Sequence, residues 1–454
     1  MGGPPRLTCG RRGDVEDSVL SVVKPSQRQI AILGNFYRTI YSILTACIEE
    51  NGYKASIMPV GSFAKGTLTS DKWELDVFVL FKNVTDEWIY SEAESLLESC
   101  LRDKLPFVTK YAQHPYVTVQ LMGLEADIVP AIEIKRPRKR GLGVERTPFH
   151  TLYVSSRLNE CQRDEVRLLK AFLKGLGIYG AEVRTQGFSG YLSELLIIKY
   201  GSFHNLLSAA SSWRPPIYID PEGIGDRRYL LSKYRESPLI VVDPVDPERN
   251  AAAAVSLKSL ATFVVAAKMY LERPGREYFY PFSKQASMLA PIDIVTVTCS
   301  GDYSSDPPES IWGRAKRAAK DLAATLGDND FQVLYYSYYT DEYAVTSIGI
   351  GLVKSRLPPY SVVEGPLAWA SRDDIVKYVR KRLERGEVYW INEQGRLSAL
   401  KKRRFTDAGN LVERWVASRG VSILKASKCI ASIDTCGGES YSELCYPMKE
   451  WMTL

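Results

Sequence analysis

The stretch VGSFAKGTLTSDKWELDVFVLF, residues 60–81, joins a glycine–serine turn to a strongly apolar run through two closely spaced acids. Glu74 and Asp76 stand directly before residues 77–81, a run typical of a buried strand. Residues two apart on a strand face the same side, with Cα atoms roughly 6.5–7 Å apart. The two carboxylates can therefore approach a pair of metal ions spaced about 3.5–4 Å. Two solvated charges at a strand end are the alternative interpretation.

A third acid precedes another short apolar segment, EADIVP at residues 125–130. Hard cations such as Mg²⁺ take oxygen ligands, typically one or two carboxylates together with phosphate and water. Asp127, on a strand next to Glu74 and Asp76, is the natural candidate to complete the site. Glu125 faces the same side and is the weaker candidate.

The turn at Gly61 and Ser62 favours an anion. A glycine lets backbone N–H groups approach phosphate oxygens closely, and Ser62 adds a hydroxyl and a helix cap. Alone, such a turn is common, and so is a pair of acids. The combined spacing is specific, because Gly-Ser is followed after eleven residues by Glu-x-Asp-apolar and then by a distant Asp-apolar pair.

The length of 454 residues suggests about three domains. With 45% hydrophobic and 25% charged residues, the composition is that of an ordinary globular protein. No apolar run reaches the roughly 18 residues of a membrane span, and the first residues lack the apolar stretch of a signal peptide. We therefore expect a cytoplasmic protein without a membrane partner.

Eight scattered cysteines include no Cys-x-x-Cys pair, so no zinc site is indicated. Reduced or buried thiols are expected, and disulfides only if the source is a hyperthermophile.

The net charge is +6, and its distribution is more informative than its size. Basic runs occur at residues 135–140, 377–385 and 401–404, with Tyr378, Tyr389 and Trp390 interleaved. Solvated faces explain most such runs, but three of them favour an RNA or DNA partner.

The apolar periodicity predicts an α+β multidomain protein. A helix is expected over 26–51, with Ser26 and Gln29 as a capping box, and an α/β unit with a mixed sheet continues to about residue 130. Helical patterns dominate 163–211 and 249–272. A β-α-β-β order near 290–355 predicts a ferredoxin- or RRM-like unit, followed by a mixed tail with helices near 372–385 and 406–419.

The motif spacing resembles the DNA polymerase beta-like nucleotidyltransferase superfamily, and the wider text resembles its archaeal (class I) CCA-adding enzymes. The resemblance is dense and in order over about 55–260, and it thins beyond to GPLAW (365–369) and KKRRFT (401–406). The dense part comprises VGSFAKGT (60–67), ELDVFVLF (74–81), AQHPYV (112–117), EADIVP (125–130), RTPFH (146–150), EVRLLKAFLKGLGIYGAE (165–182), GFSGYLSELLIIKYGSF (187–203) and VVDPVDPERNAAAAVS (241–256).

The resemblance implies an enzyme that adds and repairs the terminal CCA of tRNA without a nucleic-acid template. It would use CTP and ATP as substrates and two Mg²⁺ ions as cofactors, and it would release pyrophosphate. By position, Glu74, Asp76 and Asp127 match the catalytic, metal-binding carboxylates. The nucleotide-binding positions match Gly61, Ser62, Lys65, His150, Lys170, Tyr179 and Arg249.

Several of these residues also have plain structural interpretations. Lys170 could be a surface lysine, His150 a core histidine and Tyr179 a turn aromatic. Arg249 could pair with Asp243 or Asp246. Asn250 is a weaker addition to the nucleotide set.

The resemblance also implies the domain layout. It predicts a nucleotidyltransferase palm over 1–150, a helical central domain over 151–275 and a C-terminal tRNA-binding region over 276–454. A homodimer stays open. The alternatives are a related poly(A) or terminal nucleotidyltransferase, and a non-catalytic RNA-binding member of the fold.

Overall fold

The computed structural model describes residues 12–111, 115–136, 143–280 and 292–435. These residues form two compact units, one within 12–280 and one within 292–435. Among the described helices, none has both the length and the hydrophobicity to cross a membrane. Part of the basic run at 135–140, residues 137–140, lies outside the described residues.

The first unit opens with a palm built on a mixed sheet. Its strands lie in the order β1-β2-β5-β4-β3, and β2 and β5 are parallel while the other neighbours are antiparallel. The elements are α1 (Asp14–Val23), α2 (Gln27–Glu50), β1 (Ala55–Val60), α3 (Gly61–Ala64), β2 (Glu74–Phe81), α4 (Asp86–Ser91), α5 (Ala93–Leu101), β3 (Phe107–Tyr111), β4 (Pro115–Leu121) and β5 (Leu124–Ile132).

The palm core packs α2 and α5 against one face of this sheet. Leu33, Ile40 and Leu44 of α2 are fully buried against Val77 and Val79 of β2. Because alternate residues of β2 point into this core, the acids at its start are held by a strand that cannot shift register without exposing its apolar side chains.

The predicted capping box of α2 is only half formed. Ser26 accepts a hydrogen bond from the Gln29 backbone N–H (3.1 Å). The Gln29 side chain does not return to Ser26, and instead donates to the carbonyl oxygens of Ser70 and Lys72. Gln29 thus fastens the loop before β2 to the helix.

The rest of the first unit is mostly helical. It comprises α6 (Thr147–Arg157), α7 (Glu160–Gly175), α8 (Gly190–Tyr200), α9 (Phe203–Ala210), β6 (Ile217–Ile219), α10 (Arg227–Lys233), β7 (Leu239–Asp243), β8 (Asp246–Asn250) and α11 (Leu257–Glu272). The helix predicted over 249–272 is wrong at its start, since residues 246–250 form a hairpin strand with β7 and the helix begins at Leu257 after the Ser256 cap.

The second unit contains the predicted β-α-β-β order and strands that periodicity missed. Its elements are β9 (Asp293–Ser300), α12 (Pro308–Gly327), β10 (Val333–Thr340), β11 (Val345–Leu352), β12 (Tyr360–Leu367), α13 (Arg372–Glu384), β13 (Tyr389–Ile391), β14 (Arg396–Lys402), α14 (Ala408–Trp415), α15 (Val421–Leu424) and β15 (Lys428–Thr435). One sheet has the order β10-β11-β9-β15 and a smaller one the order β12-β14-β13.

The expectation of reduced cysteines is wrong for the described pairs. Cys47 of α2 is disulfide-bonded to Cys100 of α5, and Cys299 of β9 to Cys429 of β15. Both disulfides join elements that are far apart in sequence, so the spacing of the cysteines did not predict them.

Candidate active site

The predicted carboxylates meet at one end of two neighbouring strands. In the parallel pairing of β2 and β5, Asp76 stands opposite Asp127, and Glu74 opposite Glu125. Neighbouring strands lie about 4.8 Å apart, so the register brings Asp76 and Asp127 side by side. The Thr118 hydroxyl of β4 donates to Asp127 Oδ1 at 2.6 Å and orients that carboxylate.

The surroundings of Asp76 and Asp127 raise the pKa values of both carboxyl groups. Burial, followed by the negative charges of Asp127 and Glu74, raises the pKa of Asp76 to about 6. Burial also raises the pKa of Asp127, against the opposing hydrogen bond from Thr118. The two acids repel each other in a site that lacks enough positive charge to balance them, which is the condition a bound cation would relieve.

Glu74 is less committed to the pair. Its side chain is 47% exposed and forms an ion pair with Lys72 at 2.8 Å. In the parts of the chain that the structure describes, no three Asp, Glu, His or Cys side chains converge as a finished metal site. The donor set nevertheless fits a hard divalent cation, because Asp76 and Asp127 offer adjacent oxygens and an exposed Glu74 can exchange Lys72 for a metal.

Gly61 is required by its closeness to this pair. It follows β1 directly, has φ +65°, and a Cβ on it would lie 1.9 Å from Asp76 Oδ2. Both the backbone conformation and the contact exclude a side chain here. The backbone of the Gly61–Ser62 turn therefore lies directly against Asp76.

Two lysines predicted from sequence share one buried carboxylate. Lys65 Nζ lies 2.6 Å from Glu194 Oε2, and Lys170 Nζ lies 3.8 Å from Glu194 Oε1. Lys170 also donates to the Thr67 carbonyl oxygen at 3.0 Å, and the Thr67 hydroxyl donates to Glu194 at 2.6 Å. Lys170 is therefore a buried residue, and its interpretation as a surface lysine is wrong.

Burial and mutual attraction shift the pKa values of Lys170 and Glu194. It lowers the pKa of Lys170 to about 8, with Glu194 opposing the shift. Burial acts to raise the pKa of Glu194, but the charges of Lys65 and Lys170 outweigh it and the pKa is lowered. Glu194 is thus an ionised acid that pairs with two buried lysines.

Tyr179 lies beside Lys174 and near Lys170. Lys174 Nζ lies over its ring, 5.4 Å from the centroid, and a Cβ on Gly190 would lie 3.0 Å from its hydroxyl and 3.7 Å from Lys170 Cε. Burial, followed by the charge of Glu194, raises the pKa of Tyr179. Tyr179 therefore lies near Lys170 and near the charge of Glu194, which also binds Lys65.

His150 and Arg249 meet at a second buried acid, Asp243. His150 Nε2 lies 2.9 Å and Arg249 Nη1 2.8 Å from Asp243 Oδ2. Tyr191 donates its hydroxyl to Asp243 Oδ1 at 2.8 Å, and its ring stacks on His150 with centroids 4.0 Å apart. The open alternative that Arg249 pairs with Asp243 is thus observed, and it brings Arg249 next to His150.

Tyr191 and Glu194 were not singled out from the sequence, and Asp243 was named only as a possible partner of Arg249. A signal existed for Glu194, since an acid inside the apolar helix GYLSELLIIKY needs a buried partner. The Asn250 side chain is engaged in structural hydrogen bonds, to the backbone of Val241, Leu239 and Ala252.

Three family models match successive parts of the chain. Residues 40–150 match the family model described as nucleotidyltransferase domain, residues 164–280 match tRNA nucleotidyltransferase, second domain, and residues 305–428 match CCA-adding enzyme, C-terminal domain.

Relatives match over nearly their full length. A CCA-adding enzyme of Aeropyrum pernix is 41% identical over 451 residues, covering 97% of this chain and 96% of that protein. One of Sulfurisphaera tokodaii is 41% identical over 393 residues, covering 86% and 89%. One of Saccharolobus solfataricus is 36% identical over 401 residues, covering 88% and 91%. With this identity over both lengths, and with a partly buried carboxylate pair beside a glycine–serine turn, the chain belongs to the family of CCA-adding enzymes, which are tRNA nucleotidyltransferases.

Proposed function

We propose that the protein adds and repairs the 3′-terminal CCA of tRNA from CTP and ATP, without a nucleic-acid template and with release of pyrophosphate. One observation carries the mechanism. Asp76 and Asp127 stand in register on parallel strands, with the Gly61 backbone against Asp76. This arrangement suits a nucleoside triphosphate whose α-phosphorus is attacked by the RNA 3′-hydroxyl.

Asp76 and Asp127, with Glu74 joining them, would hold Mg²⁺. When bound, the metal ions would neutralise charge on the triphosphate and favour the ionised form of the attacking hydroxyl. The support is that burial, and after it repulsion from Asp127 and Glu74, raises the pKa of Asp76 to about 6. Near neutral pH Asp76 is mostly ionised and can act as a ligand.

Lys65 and Lys170 would bind the triphosphate, together with Gly61 and Ser62. Both lysines are almost fully buried, so their charges act at low dielectric and are worth more than surface charges. Glu194 keeps them in place until a more highly charged phosphate chain enters. Tyr179, near Lys170, would line the phosphate and sugar of the nucleotide.

His150 and Arg249 would bind the sugar and base side of the nucleotide. Arg249 is 35% exposed, so its remaining N–H groups are accessible beyond the Asp243 contact. A single cleft would thus serve both CTP and ATP.

We assign the domains to separate tasks. The palm (1–150) would supply the carboxylates, the helical domain (151–275) the nucleotide contacts, and the C-terminal region (276–454) the grip on tRNA. Within that region α13 exposes Lys377, Arg380 and Lys381, and Trp369 is 75% exposed nearby in sequence. Cations with exposed aromatics suit an RNA whose backbone and shape are recognised.

A cytoplasmic location suits this function. Light scattering coupled to gel filtration would measure the mass in solution and so test for a homodimer. A mass of one chain, 51.0 kDa, would exclude the dimer.

Three tRNA substrates test the function, ending before the first C, before the second C, and before the final A. Each is incubated with Mg²⁺ and labelled CTP or ATP. We expect CTP to be incorporated only into the first two and ATP only into the third. Asp76→Ala and Asp127→Ala should abolish incorporation and leave tRNA binding nearly unchanged, and Glu133→Gln, an exposed palm acid paired with Lys82, serves as the control.

The alternatives give different products. A poly(A) or terminal nucleotidyltransferase would extend the third tRNA by many residues. A non-catalytic RNA-binding member would incorporate nothing while binding tRNA. An active Asp76→Ala or Asp127→Ala variant would overturn the metal assignment.

A further inference from the structure

The buried carboxylate at the end of β7 contacts more of the cleft than any other acid described above. Asp243 is fully buried and is reached by four groups from different parts of the chain. Its Oδ2 lies 2.9 Å from His150 Nε2 and 2.8 Å from Arg249 Nη1. Its Oδ1 accepts from the Tyr191 hydroxyl (2.8 Å) and the Val245 backbone N–H (3.0 Å).

We infer that Asp243 is a positioning residue that sets His150 and Arg249 in one fixed arrangement for the incoming nucleotide. The inference rests on the proposed function, since it takes these two side chains as nucleotide contacts. Asp243 itself touches no substrate, because its side chain is fully buried by the protein.

The backbone around Asp243 is built to hold it still. β7 is buried along its whole length, and Asp243 is its last residue before the turn to β8. Asn250, at the other end of β8, is tied to the backbone at Leu239, Val241 and Ala252. Arg249 therefore projects from a strand anchored on one side by Asn250, and its guanidinium is anchored by Asp243.

Helix α8 joins this arrangement to the lysine cluster. Tyr191 stacks on His150, donates to Asp243, and lies under Lys65 Nζ, 5.7 Å from its ring centroid. Glu194, three residues further along α8, holds Lys65 and Lys170. One helical turn thus contacts both sets of predicted nucleotide residues.

An amide cannot replace this carboxylate. Asp243 uses both oxygens as acceptors, whereas asparagine offers one acceptor oxygen and an NH₂ that would face donors. The NH₂ of Asp243→Asn would lie either at the Oδ2 position, where it faces Arg249 and His150, or at the Oδ1 position, where it faces Tyr191 and the Val245 backbone N–H. Either orientation should therefore loosen the arrangement, by releasing Arg249 or by freeing the Tyr191 ring that stacks on His150. A hydrogen bond to a charged group is worth enough that its loss weakens binding by about tenfold or more.

The test measures CTP affinity by calorimetry in the presence of Mg²⁺ and without tRNA, so that it does not depend on turnover. We expect the Kd of Asp243→Asn to rise about tenfold or more, with tRNA affinity within about twofold of the unchanged protein. In a His150→Ala/Arg249→Ala background the same substitution should change the Kd less than about threefold, because the side chains through which it acts are gone.

Asp220→Asn is the matched control. Asp220 also accepts several backbone N–H groups in the same unit, from Glu222, Gly223 and Gly225, but none of the predicted nucleotide residues. Its CTP affinity should stay within about twofold. Thermal unfolding of every variant identifies misfolding, and Asp243→Glu, which keeps the charge, replaces Asp243→Asn if that variant does not fold; its Kd should rise by about three- to tenfold.

An unchanged Kd for Asp243→Asn, or an equal rise in both backgrounds, would overturn the inference. The proposed function fails by a separate result, in which the unchanged protein binds CTP but adds nothing to tRNA. The two failures are therefore distinguishable.

Discussion

Asp76→Asn should stabilise the metal-free protein while abolishing its activity. The folded chain raises the pKa of Asp76 from an ordinary value of 3.8 to about 6, by burial and by repulsion from Asp127 and Glu74. This difference corresponds to about 3 kcal/mol in the free energy of unfolding. Asparagine has nearly the same shape and carries no charge, so it escapes that penalty.

The sign of the effect depends on pH. Between pH 3.8 and about 6 the folded state binds more protons at Asp76 than the unfolded state does, so this group lowers stability as the pH rises. At pH 8 the whole penalty is present, and Asp76→Asn should be more stable by up to about 3 kcal/mol. Below about pH 4 the carboxyl is protonated and the advantage should vanish.

Amide hydrogen exchange of peptides covering β2 and β5, in EDTA, measures the stability of the palm separately from the rest of the chain. Glu133→Gln is the control, because Glu133 is an exposed acid bound to Ser56 and Lys82 and should change stability by less than about 0.5 kcal/mol. Adding Mg²⁺ should stabilise the unchanged protein and not Asp76→Asn. Equal or lower stability of Asp76→Asn at pH 8 would refute the repulsion argument.

Gly61→Ala should remove activity and lower stability by about 1–3 kcal/mol, measured by incorporation assay and denaturation, because its Cβ would overlap Asp76 Oδ2; a fully active variant would contradict the contact. Glu194→Gln should lower the free energy of unfolding by about 3–5 kcal/mol, since it leaves two buried lysines without their carboxylate; a neutral effect would contradict this. Cys299→Ser with Cys429→Ser should lower the free energy of unfolding by about 2–5 kcal/mol, and reductant should lower it in the unchanged chain by at least as much, because it also breaks Cys47–Cys100; an unchanged stability of the double variant would contradict this. Finally, tRNA affinity should fall steeply with salt, and a flat dependence would exclude phosphate contacts as its main source.

The palm was predictable because its signals are local. The apolar alternation of β2 places the acids at the start of a buried strand, and the need for a third carboxylate points to Asp127. The register that sets Asp76 against Asp127 was not readable, because it depends on pairing between strands 51 residues apart in sequence.

The cleft beyond the palm was only partly predictable. Lys170 and Arg249 were found by resemblance. Asp243 was one of the two partners expected for Arg249, whereas Glu194, the partner of Lys170, is a tertiary contact with no fixed spacing. The hairpin strand at Asp246–Asn250 was taken for helix, since the alanine-rich segment after it has a high helix propensity that tertiary pairing overrides. The disulfides depend on proximity between distant elements, for which the sequence carries no pattern.

The most direct measurement sequences the 3′ ends of a tRNA transcript lacking CCA after incubation with the protein, Mg²⁺ and all four nucleoside triphosphates at equal concentration. We expect a single product class extended by C, C and A, with no further addition. Tails of repeated A or U, a fourth nucleotide on most molecules, or unextended ends would contradict CCA addition by this protein.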